Sequence, residues 1–144
     1  MTQTTVFVDR RLTEQELTAG LAAAFEIAPA DVRLLNDIAE LADNSIADLR
    51  LACVGTSGGE HFPLLLDCYA LDRGLIELDE MTQARKFCAA TGACCALSLP
   101  DNEIDEMWLV AAHGEPTLID IDFDSTGAQP YAVAATTAVS ALVA

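Results

Sequence analysis

Asp120, Asp122 and Asp124 recur at every second position of TLIDIDFD, the plainest spacing in this chain for an interaction with something charged. On an extended strand that spacing places three carboxylates on one side, about 6.6 Å apart, and Ile119, Ile121 and Phe123 on the other. Neighbouring unit charges at that distance repel by about 0.6 kcal/mol in water before salt screening, a cost an exposed strand sustains. Upstream, Met107, Leu109 and Ala111 alternate with Trp108 and Val110, and His113-Gly114 supplies a turn in which glycine takes positive φ. The stretch from Pro100 to Gly127 therefore reads as a β-hairpin with an acidic face, to which Asp101, Glu103, Asp105 and Glu106 add further charge around the single Trp. Such a face suits recognition of a basic partner. The run from Asp120 also looks like the opening of a calcium loop, but Ser125 stands where that loop needs Gly and Tyr131 where it needs Glu.

Two other arrangements invite a catalytic reading. Gly55-Thr56-Ser57-Gly58-Gly59 fits G-x-S-x-G and resembles the GDSGG signature of chymotrypsin-like proteases. A nucleophile elbow sits at a strand-to-helix turn, whereas this segment is expected in a flexible loop joining two strands. The chymotrypsin-like order also fails, because His61 and His113 both follow Ser57. No local signature links any of Cys53, Cys68, Cys88, Cys94 and Cys95 to a histidine, and no four-ligand zinc spacing is present. The expectation is activity by binding, with no catalytic residue, metal or cofactor.

Composition bounds the partner. The formal charge is −16 over 144 residues, and the seven basic residues, Arg10, Arg11, Arg33, Arg50, Arg73, Arg85 and Lys86, all precede Phe87. That field opposes direct contact with nucleic acid or an anionic membrane and steers a basic protein inward. Apolar residues make up 52% and mean hydropathy is +0.31, so the chain differs from acidic disordered tails and should fold as one domain. An odd number of cysteines in apolar surroundings, with no basic-then-apolar leader, points to buried free thiols in a reduced, cytoplasmic protein. Cys94 and Cys95 would face opposite sides of a strand, poor geometry for a shared bond. The apolar run from Tyr131 is shorter than the roughly 20 residues a membrane span needs.

The elements that must position these residues read as α+β. Thr5 to Val8 suggests a first strand, then a capping box in which Thr13 caps and Glu16 reaches back, with Leu12 on Leu17 as a staple. Leu17, Leu21, Ala24 and Phe25 form the helix stripe, and Pro29 marks the exit before an extended Val32 to Leu35. Asp37 to Asp48 reads as a connection. Leu49, Leu51 and Cys53 alternate, as do Leu64, Leu66 and Cys68, giving two antiparallel strands, the second starting after Pro63 at or near a sheet edge. A second helix runs from an Asp79 cap to Gly92, with Arg85 and Lys86 toward its negative end. Cys94 to Leu99 suggests a strand and Pro100-Asp101-Asn102 a turn; from Tyr131 a C-terminal helix is an open alternative. The expected fold is a mainly antiparallel sheet packed against two helices, with Leu17, Leu21, Phe25, Leu51, Leu66, Phe87, Leu109, Ile119 and Ile121 in the core.

This whole-chain pattern of one small α+β domain, strong negative charge, no catalytic set and late-gathered acid at Asp101, Glu103, Asp105, Glu106, Asp120, Asp122 and Asp124 resembles the small acidic immunity proteins that bacteria pair with toxins of contact-dependent inhibition and related systems. The resemblance implies a monomer that binds a basic cognate toxin, often a nuclease, and blocks its active site. In size, acidity and order of helix, three strands, helix, two strands, helix, the chain is also similar to type III secretion chaperones, which implies a homodimer holding an effector segment in apolar grooves. A DNA-mimic inhibitor is the further alternative, since carboxylates about 6.6 Å apart approach the spacing of phosphates along a strand.

Overall fold

Thr13 and Glu16 start the first helix as their spacing predicts. The Thr13 hydroxyl accepts from the Glu16 N–H at 3.1 Å while the Glu16 carboxylate accepts from the Thr13 N–H at 3.0 Å. Helix α1 spans Glu14–Phe25 and buries Leu17, Gly20, Leu21, Ala24 and Phe25. Helix α2 spans Glu80–Thr91; the Asp79 carboxylate accepts from the Thr82 N–H at 2.9 Å, and Gly92 closes the helix at φ +75°. The computed structural model describes residues 2–37, 39–40, 50–58, 61–75, 79–98, 106–122 and 132–133, giving only the backbone of Thr2, Arg73, Ile121, Asp122, Ala132 and Val133.

The strands are β1 (Thr2–Val8), β2 (Val32–Leu35), β3 (Leu51–Ser57), β4 (Leu64–Ala70), β5 (Cys95–Leu97), β6 (Glu106–Val110), β7 (Thr117–Asp122) and the two-residue β8 (Ala132–Val133). They form one mixed sheet in the order β2-β3-β4-β1-β5-β6-β7-β8, antiparallel except for β2 against β3. The pairings make β1 parallel to β2 and β4 parallel to β5, so each helix is the crossover of a parallel pair with other strands lying between. The two crossovers run in opposite directions from oppositely pointing strands, and right-handedness then sets both helices on one face. There they pack on each other and on the sheet.

The core on that face joins Leu17, Leu21 and Phe25 of α1 and Phe87 of α2 to Val8, Leu51, Leu66 and Cys95. The other face is buried as well. Phe7, Ala96, Met107, Leu109 and Ile119 cluster there around Phe62 of the β3–β4 turn, whose ring lies 6.1 Å from that of Phe7, and Leu35, Ala52, Val54 and Tyr69 form a second patch. Leu51–Val54 are therefore buried at every position, where alternation predicted one inward side only.

Three expectations change. β4 lies in the interior of the sheet, between β3 and β1, and Pro63 is tolerated because it precedes the strand and contributes only its carbonyl, which accepts from the Gly58 N–H at 2.9 Å. Gly55, Thr56 and Ser57 belong to β3 itself, paired with Leu66, Leu65 and Leu64, so the turn begins later than expected. Ala132–Val133 pairs with β7 as strand, not helix; the remainder of the proposed C-terminal helix, the Pro100–Asn102 turn and most of Asp37 to Asp48 lie outside the described residues. Of the predicted core, every residue is buried except Ile121, whose side chain lies outside the described residues.

Candidate partner-binding surface

Strands β6 and β7 form the expected hairpin, with Gly114 at φ +89° in the turn between them. Its register places Glu106 opposite Asp120, Met107 opposite Ile119 and Trp108 opposite Leu118. Met107 and Ile119 point into the Phe7 cluster, away from the helices. Glu106, Trp108, Leu118 and Asp120 consequently share the helix-bearing face, at the flank where the sheet extends beyond α2. Trp108 is half-buried against Met81 and Ala84 of α2, Leu97 and Val110. Leu118 beside it is 43% exposed, the one large apolar side chain so exposed among the described residues.

The juxtaposition of Glu106 with Asp120 was not legible in the sequence. A two-residue turn at His113-Gly114 would set Glu106 against Ile121, whereas the longer connection from Ala111 to Pro116 moves the pairing by one residue. Such a slip exchanges the face on which every opposing side chain lies. Directly opposed side chains on antiparallel strands have Cβ atoms about 5 Å apart, where two carboxylates repel by about 0.8 kcal/mol in water before screening or other partners act. Asp120 is exposed and Glu106 half-buried. Asp122 ends β7 two residues beyond Asp120, and of it only the backbone is described. Asp101, Glu103, Asp105 and Asp124 lie outside the described residues.

No protein-family model, curated protein or solved structure matches the chain. Site chemistry thus rests on the residues alone. Ser57 is exposed at the end of β3, His61 is half-buried in the following turn, and His113 is exposed in the β6–β7 turn. Strands β4, β1 and β5 separate β3 from β6, which places Ser57 and His113 in different parts of the sheet. A groove of about 350 Å³ runs between the start of α1 and strands β2–β4; its lining includes Arg11, Glu14, Leu34, Cys53, Ser57 and Leu64. No histidine is among the described residues lining it. Among the described residues no group of three or more His, Cys, Asp or Glu is placed to hold a metal ion, and no helix is long and apolar enough to cross a membrane.

Proposed function

We propose that this chain is a cytoplasmic immunity protein that neutralises a basic toxin, a nuclease being the best fit, by covering the toxin's active site with the outer β6–β7 hairpin. The observation that carries this reading is the opposition of Glu106 and Asp120 across the β6–β7 pair. An arginine of a partner reaching this surface meets two carboxylates at once, which suits its planar guanidinium. No Lys or Arg occurs after Lys86, so the charge carried by this end of the chain is acidic only. Activity is by binding, and Ser57, His61 and His113 take no part in chemistry.

A second reading draws on Leu118 and Trp108, an apolar spot on the same face, and makes the chain a secretion chaperone whose homodimer holds an amphipathic effector segment. The two readings separate experimentally. The tagged chain is used to recover its partner, and association is then followed at low and high salt for wild type and for Glu106→Gln/Asp120→Asn/Asp122→Asn. Immunity predicts a monomer before binding, slower association of the triple variant and a flatter salt dependence. An unchanged association rate and affinity would leave the face a solvated strand surface. A stable homodimer whose effector binding is lost on Leu118→Ser, with little effect from the charge changes, supports the chaperone instead.

A further inference from the structure

Four of the five thiols meet in pairs on the helix-bearing side of the sheet. Cys53 and Cys68 are direct cross-strand partners on β3 and β4, with sulfurs 3.7 Å apart and side chains 0% and 3% exposed. Cys88, near the end of α2, has its sulfur 3.6 Å from that of Cys95 at the start of β5 and donates to the Val110 carbonyl at 3.4 Å. Cys94 stands apart, half-buried against the Phe7 cluster on the opposite face. Opposed antiparallel residues hold their Cα atoms about 4.5 to 5.5 Å apart, inside the span of about 4.4 to 6.8 Å that a disulfide requires. Each sulfur pair has only about 1.6 Å to close to reach bonding distance.

We propose that Cys53–Cys68 and Cys88–Cys95 are two disulfide-forming sites, closed by exchange with a small-molecule disulfide of the glutathione type, and that Cys94 is the thiol left over. In each exchange one protein thiolate attacks a sulfur of the reagent, whose S–S bond breaks and releases one thiolate. The second protein thiol, deprotonated in turn, attacks the mixed disulfide and expels the other half. Two protein thiols are oxidised, the reagent is reduced to two thiols, and the two protons lost by the protein end on them. In the second pair Cys88 attacks. The hydrogen bond with Cys95 holds the Cys88 thiol below the usual range despite burial, whereas the same hydrogen bond and burial push Cys95 well up. For Cys53 the hydrogen bond with Cys68 and burial push the thiol up, and with both sulfurs covered the exchange there proceeds through local opening of the β3–β4 pair. The closed bonds tie β3 to β4 and α2 to β5, stapling the sheet on either side of β1.

The full chain is equilibrated at neutral pH over a series of oxidised to reduced glutathione ratios, quenched by alkylation, digested without reduction and mapped by mass spectrometry, with circular dichroism confirming the fold. The expected result is a loss of two hydrogens per pair, Cys53–Cys68 and Cys88–Cys95 cross-linked peptides, and alkylation or a glutathione adduct on Cys94 only. Stable adducts on the paired cysteines, a linkage involving Cys94, or five alkylatable thiols at the most oxidising ratio would overturn the assignment. Cys95→Ser adds a second readout: Cys88 should then retain glutathione while Cys53–Cys68 still closes, and absence of the adduct counts against Cys88 as the attacking thiol.

Discussion

Asp72 accepts from the Gly74 N–H at 2.9 Å and from Arg50 at 2.7 Å, and these hydrogen bonds, the backbone one first, hold its carboxyl below the usual carboxylate range. The folded pKa lies below the unfolded one, so the unfolded state takes up its proton first as pH falls. The stabilisation is present above the ordinary carboxylate pKa and is lost as pH drops through the depressed folded value. Asp72→Asn should therefore flatten the acid limb of stability measured by urea unfolding across that range; an unchanged limb would mean the pair is inert. Glu16 is depressed in the same direction by its bonds to Thr13. Thr13→Ala should cost about 1 kcal/mol in chemical denaturation with little change in m. The two cases differ in legibility. Thr13 with Glu16, and Asp79 with Thr82, lie within three residues of each other, close enough to be read directly. Asp72 and Arg50 are separated by 22 residues, and no local pattern announces their pairing.

Helix α1 meets α2 at Gly20. A Cβ built there would lie 2.6 Å from Thr91 Cγ2 and 2.8 Å from the Phe87 ring, so the missing side chain is what lets the helices approach. Gly20→Ala should gain up to about 1 kcal/mol of helix propensity and lose roughly 1 to 3 kcal/mol to overpacking. Net destabilisation in urea is expected; a more stable variant would show that the contact yields. Both helices were legible from caps and stripes, and most strands from alternation. The sheet order was not, because alternation marks the inward side of a strand without naming its neighbour. Pro63 pointed to an edge for that reason, and the hairpin register escaped because it turns on one residue of loop length. The outward side of Asp120, opposite to buried Ile119, was legible. Its place on the helix side, next to Leu118, was not.

Across the whole molecule a charge of −16 opposes compaction. Among the described residues the cations Arg10, Arg50 and Lys86 pair with Asp9, Asp72 and Glu26, and over the whole sequence Asp and Glu outnumber Lys and Arg by 23 to 7. Moderate sodium chloride should raise the urea midpoint at constant m by screening that repulsion, and a midpoint independent of salt would show that the charge is spread too thinly to matter. The placement of β1 has a different kind of consequence. Val8 pairs with Leu64 on one side and Cys95 on the other, so β1 is held by strands that follow it in the middle of the chain. At about 5 to 20 residues per second, synthesis of the intervening residues takes roughly 4 to 18 seconds. For roughly the first 3 to 11 seconds, until β4 is made, the nascent Val6-Phe7-Val8 stretch has neither neighbour strand, and for the remainder it lacks β5. Vectorial synthesis thus leaves β1 waiting for both of its partners, and the rate of translation becomes part of how this protein reaches its fold.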